Sequence, residues 1–110
     1  MPDATTAKIA ALNDQARQTF GECRVVITQG VAELNDDNVA YILDKVRKYK
    51  DFTPINDPYF EHDFGSIQFG ENTIFWKIDY YDIDLQMHSP DPSDPAVTTR
   101  ILTIMLAEEY

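Results

Sequence analysis

Carboxylates and imidazoles gather at two places in this sequence: Glu61-His62-Asp63, and the spaced set Asp79-x-x-Asp82-x-Asp84-x-x-x-His88. Such donors suit a hard or borderline divalent cation, which polarises a phosphoryl oxygen and activates a water. One reading is therefore a small metal-dependent hydrolase using Glu61, His62, Asp63, Asp79 and Asp82, in which the two segments pair and bring Asp63 toward Asp82. The spacing matches no established metal motif. Asp82-x-Asp84 lacks the glycine and the closing glutamate of a calcium loop. A nuclease centre of the Asp, Glu-x-Lys kind fails on one position: Phe75 stands two residues before Lys77, where the carboxylate belongs. Ser66 and Ser89 have no Gly-x-Ser-x-Gly setting, and the four glycines form no phosphate-binding loop. No residue is assigned a catalytic role and no cofactor is expected. His62 reads as a structural residue, hydrogen-bonded to Asp57 or Glu61.

The alternative to catalysis is binding. Residues 51–97 hold ten acids and one base, Lys77, so this stretch carries about −9 of the net −10. The same stretch holds Phe52, Tyr59, Phe60, Phe64, Phe69, Phe75, Trp76, Tyr80 and Tyr81. Disordered acidic tails lack aromatics, so this is a folded acidic surface. A phosphate backbone repels it, which argues against direct binding to nucleic acid and for a basic protein surface. Carboxylates can stand in for phosphates while rings contact an apolar rim. The contact residues expected on this reading are Asp79, Asp82, Asp84, Asp91 and Asp94, with Tyr59, Phe60 and Tyr81. The lone Cys23 permits no internal disulfide, and its apolar neighbours make it a buried structural thiol. No signal peptide and no run of membrane-spanning length is present, so a cytoplasmic protein is expected.

One domain is expected over residues 1–110, with an N-terminal helix over 1–20 and the motif-bearing core over 21–110. Ile9, Leu12, Ala16 and Phe20 recur at helical spacing, with Gly21 as the stop. Residues 22–29 read as a buried strand. A second helix runs from a cap at Asp36 or Asp37 to about Lys50, with Val39, Ile42, Leu43 and Val46 on one face. Its basic end (Lys45, Arg47, Lys48 and Lys50) complements the helix dipole. After a loop over 51–60, strands at 62–69 and 73–82 form a hairpin. In the second, Ile74, Trp76, Ile78 and Tyr80 point to the core and Phe75, Lys77, Asp79 and Tyr81 point away. Trp76, Ile78 and Val26 are expected to be buried together against Ile42 and Val46. Residues 83–96 are a loop. Asp94-Pro95 is a helix-start signal, and Val97–Ala107 is read as a helix, although its β-branched content also suits an edge strand. The fold class is α+β: a small layered domain whose mainly antiparallel sheet has three strands, or four if the last segment is a strand, with helices packed on one face. The other face is where a partner would bind if nothing covers it.

The runs Phe52-Thr53-Pro54-Ile55-Asn56-Asp57-Pro58-Tyr59, Glu61-His62-Asp63-Phe64-Gly65 and Phe75-Trp76-Lys77-Ile78-Asp79-Tyr80-Tyr81-Asp82 resemble a small bacterial domain family without an assigned activity. The resemblance extends from about residue 20 to the closing residues 99–110. It departs at Phe60, where the family pattern favours glycine. The genes are similar in setting to accessory genes of plasmids and other mobile elements. That implies a conjugation, regulatory or anti-defence role, such as inhibition of a nucleic-acid-handling complex.

Overall fold

The computed structural model describes residues 3–110. Its elements are α1 (Ala4–Thr19), β1 (Arg24–Ile27), α2 (Gln29–Ala32), α3 (Asp36–Arg47), β2 (Phe64–Phe69), β3 (Asn72–Tyr81) and β4 (Thr99–Leu106), with 3-10 turns at Pro95–Val97 and Ala107–Glu109. The strands make one mixed four-stranded sheet in the order β1-β4-β3-β2. β2–β3 and β3–β4 are antiparallel, while β1 runs parallel to β4. The α+β class with helices on the sheet is therefore as expected.

Two expectations fail at the last segment: it is a strand rather than a helix, and it lies inside the sheet rather than at its edge. The helix-start signal is real but brief. Asp94 Oδ1 accepts the Ala96 N–H at 2.9 Å and Pro95 opens a turn, which ends at Val97. Beyond it stand Thr99, Ile101, Thr103 and Ile104, whose branched side chains favour the pleated state. Arg100, Leu102 and Ile104 turn inward at the period of a strand.

Other boundaries move for identifiable reasons. α1 ends at Thr19 because its left-handed cap falls on Phe20 (φ 58°), one residue before Gly21. The Arg47 guanidinium lies 4.3 Å from the Phe20 ring centroid. Asn35, rather than Asp36 or Asp37, caps α3 by accepting the Asn38 N–H, and the two aspartates occupy the first turn. β2 starts at Phe64 rather than at 62, because His62 has φ 55°, which no strand accommodates. The expected strand at 22–29 shrinks to four residues, and its end becomes α2.

One core joins Ile9 of α1, Val31 of α2, and Ile42 and Val46 of α3 to Ile74, Trp76, Ile78, Tyr80, Leu102 and Ile104 of the sheet. Val26 is not part of it. At 45% exposure it faces the opposite side, and its neighbours Val25 and Ile27 pack inward, one residue out of the expected register. Trp76 is fully buried and crosses β2 at Gly65, where a Cβ would overlap the indole Nε1 and Cε2. That close approach is why glycine follows Glu61-His62-Asp63-Phe64.

Candidate interaction surface

Glu61, His62 and Asp63 point in three directions. Left-handed backbone at Phe60 (φ 60°) and His62 (φ 55°) turns the chain sharply on either side of Glu61. Glu61 Oε1 accepts the Tyr80 hydroxyl at 2.8 Å. The His62 ring stacks on Phe52 with centroids 3.9 Å apart and planes 2° from parallel. Its Nδ1 lies 3.0 Å from Asp14 and its Nε2 3.6 Å from the buried Asp57. The Asp57 half of the expected pairing is therefore present, the Glu61 half is not, and Asp14 of α1 is an unexpected partner. Asp63 alone of the three lines the depression beside β3. Asp79 pairs with Lys77 at 2.9 Å, and Asp82 accepts the Gln86 N–H at 3.0 Å. Among the described residues no three His, Cys, Asp or Glu side chains are grouped so as to hold a metal ion.

Behind this segment runs a buried polar relay. The Tyr80 hydroxyl donates to Glu61 and accepts from Asn13 Nδ2 at 2.7 Å. Asn13 Nδ2 also reaches the Glu61 carbonyl at 2.9 Å. Arg100 Nε donates to Asn13 Oδ1 at 2.7 Å, and its Nη2 donates to the Pro92 carbonyl at 2.6 Å. A carboxylate is thus joined to a buried guanidinium through two neutral groups. Burial pushes the Tyr80 hydroxyl far above its ordinary range and lowers Arg100. Tyr80 is a fixed hydrogen-bonding link here, not an acid. Arg17, almost wholly buried, donates Nη1 to the Val46 and Arg47 carbonyls at 3.1 Å each and Nη2 to Asp14 at 2.9 Å. It closes the C-terminal end of α3 from α1. Asn13, Asp14 and Arg17 were missed in the sequence reading. They occupy helical spacing with Ile9 and Ala16, but polar residue types hid them from a search for an apolar stripe.

All three helices pack on the Trp76 side of the sheet. The other side presents Phe75, Lys77, Asp79 and Tyr81 of β3 beside Thr99, Ile101, Thr103 and Met105 of β4. The C-terminal Tyr110 packs on Phe64 and Phe75, with centroids 6.3 and 5.8 Å apart, and covers one end. Two depressions open on this side. One, of about 330 Å³, is lined by Asp63, Ile78, Asp79, Tyr80, Tyr81 and His88. The other, of about 400 Å³, includes Lys77, Asp79, Tyr81, Ile101, Thr103 and Met105. Asp79 and Tyr81 line both and form the ridge between them. The Asp63 carboxyl is raised above its ordinary range, first by burial and then by the charges of Glu61, Asp57 and Asp79. Asp79 holds Lys77, whose ammonium is raised by that bond. Asp63 has no basic partner.

Residues 27–109 match the model of a family described as Protein of unknown function (DUF3768). The chain belongs to that family. No curated protein and no solved structure matches it. The DUF3768 range takes in α2, α3 and strands β2 to β4, and leaves α1 outside. Asn13, Asp14 and Arg17 nevertheless reach from α1 into the DUF3768 range to hold Tyr80, His62 and the end of α3.

The remaining expected contact residues lie in loops of the DUF3768 range. Asp82, Asp91 and Asp94 each brace their own turn. Asp82 accepts the Gln86 N–H, Asp91 accepts the N–H and hydroxyl of Ser93, and Asp94 accepts the Ala96 N–H. The Ser93 bonds hold the Asp91 carboxyl below its ordinary range. Asp84 is exposed. Tyr59 and Phe60 are exposed on the loop before β2, and Ile83 and Met87 are exposed near Asp84. Of the eight expected contact residues, Asp79 and Tyr81 share the sheet ridge. The other six sit in flanking loops. No helix among the described residues is long and apolar enough to cross a membrane.

Proposed function

We propose that this protein is a non-enzymatic binding module that receives a basic protein surface on its helix-free sheet side. The observation that carries this reading is the pair of depressions divided by Asp79 and Tyr81, with Asp63 set in one of them without a cation. A carboxylate held among other carboxylates is relieved by an incoming guanidinium or ammonium. Tyr81 offers an aromatic anchor at the same spot, the residue type that interfaces favour. The flanking Asp82, Asp84, Asp91 and Asp94 would steer the approach. The most specific version is an inhibitor whose acidic face takes the place of nucleic acid on a nucleic-acid-handling or defence complex.

Affinity purification from a native host, with the parent chain and an Asp63→Asn, Asp79→Asn variant in parallel, tests the reading. The expected result is a partner with a Lys/Arg-rich groove that the variant fails to retain and that nucleic acid displaces from the parent. Equal retention by parent and variant would show that the sheet ridge is not the contact.

A further inference from the structure

The free edge of the sheet carries a second surface, of opposite sign. Gly70 and Glu71 join β2 to β3, and Phe69 pairs with Asn72. Before β2 begins, the Asp63 carbonyl accepts the Ile78 N–H at 2.8 Å. The pairing sequence 63–78, 65–76, 67–74, 69–72 follows, so the odd-numbered residues exchange bonds with β3. In an antiparallel ladder the alternate residues then turn their N–H and C=O outward. Those residues are Phe64, Ser66 and Gln68, and no further strand lies beyond them in the sheet. The Tyr49 hydroxyl meets the Ser66 backbone, leaving Gln68 as the open position.

Beside this edge lies a groove of about 380 Å³, lined by Ser66, Ile67 and Gln68 of β2 and by Tyr41, Lys45, Lys48, Tyr49, Lys50 and Asp51. Three of the nine basic residues of a chain with net charge −10 stand in it, against one carboxylate. Asp44 pairs with Lys48 at 3.0 Å at the exposed end. Lys45 lies 5.3 Å from the Tyr41 ring centroid, and Tyr41 packs on Phe69, which fixes the wall of the groove to the strand. Unpaired strand edges take up extended chains through main-chain bonds. Lysines along the same groove select carboxylates on the incoming chain. A second copy is disfavoured, because two bodies of −10 repel.

We propose that the β2 edge and the Lys45/Lys48/Lys50 groove bind an extended acidic segment of another protein by strand addition. This surface is separate from the sheet ridge of Asp79 and Tyr81, so the chain can hold a basic and an acidic partner element at once.

The probe is a fluorescein-labelled peptide of alternating Glu and Val, about eight residues long, enough to span a typical strand. Anisotropy is read with the full chain at low salt. Binding is expected for this peptide, and not for its Lys/Val counterpart or for a version N-methylated at alternate residues. A Lys45→Glu, Lys48→Glu variant should lose roughly 3- to 10-fold or more in affinity, the scale of two exposed charge pairs. Gln68→Pro should also weaken binding, since it removes an outward N–H while leaving the bonds to β3 in place. In the parent, amide shifts on titration should centre on Ser66, Gln68 and Lys48 rather than on Asp79, a readout that does not depend on any variant folding. The proposal is overturned by absent binding, by equal binding of the N-methylated peptide, or by shifts centred on Asp79. It is equally overturned if inorganic polyphosphate competes as well as the unlabelled peptide, which would mark a general anion site. A dimer that Gln68→Pro dissociates would assign the edge to a second copy.

Discussion

Single residues of the Glu61-His62-Asp63-Phe64-Gly65 run work as backbone and packing devices before any of them meets a partner. Phe60 illustrates the point. Its φ of 60° is a conformation that glycine adopts without cost and branched side chains resist. The glycine favoured here by related sequences thus has a physical reason. Phe60→Gly should leave stability within about 0.5 kcal/mol of the parent, because strain relief and the greater freedom of unfolded glycine nearly cancel. Phe60→Val should cost about 1–2 kcal/mol. Urea melts separate the two; a large loss with glycine would mean that the ring itself packs. Asp63 gives a prediction in pH. Its folded-state pKa is raised, so the folded protein holds that proton more tightly than the unfolded chain does. The resulting stabilisation is complete below the ordinary carboxylate range and is lost as pH rises through the folded value. Asp63→Asn should therefore raise Tm at pH 7 by ~1–3 °C, the size of a partly solvated charge effect, and change it little near pH 3. A lowered Tm at pH 7 would mean that Asp63 makes a favourable contact.

At the scale of elements, legibility followed how many independent signals each segment carried. β3 was plain: strict alternation from Ile74 to Tyr81 fixed its faces, and Tyr80 is buried while Tyr81 is half-exposed. Trp76 is its centre. Trp76→Ala should cost roughly 3–5 kcal/mol in a denaturant melt, because full burial against Gly65, Tyr49 and Phe52 leaves a cavity that backbone cannot fill. A variant as stable as the parent would sink this account of the core. β4 was misread because its opening residues really do start a helix and only tertiary pairing decides the outcome. A strand bonded on both sides, to β1 and β3, outweighs one capped turn. β1 was found but placed one residue out of phase, since a four-residue strand with Val25, Val26 and Ile27 in a row has no alternation to read. The acidic sheet ridge was half legible. Alternation put Asp79 and Tyr81 on the outer face, yet nothing in the sequence placed Asp63 in the neighbouring depression or turned His62 toward α1. Those depend on left-handed backbone at two residues that rarely adopt it.

Across the whole molecule the charges are sorted by place. Carboxylates lie on the sheet ridge and in the loops at 82–94, and lysines border the β2 edge. Exposed charges act over about a Debye length, near 8 Å at physiological salt, so the acidic set can steer an approaching basic protein without touching it. Three of its members also brace turns, which determines how the steering should be tested. Asn keeps the acceptor oxygen that Asp82, Asp91 and Asp94 offer to the Gln86, Ser93 and Ala96 amides, whereas Ala removes it. Replacing Asp79, Asp82, Asp84, Asp91 and Asp94 by Asn should therefore preserve the fold, as read by circular dichroism and Tm. It should also lower the association rate with a basic partner and flatten the dependence of that rate on salt. The matching Ala set should lower Tm as well, because the 82–87 and 91–96 turns lose their caps. Stopped-flow mixing at several ionic strengths reads the rate. An unchanged rate for the Asn set would remove electrostatic steering from the account, and would leave Tyr59, Phe60 and Tyr81 as the residues through which this surface makes its contact.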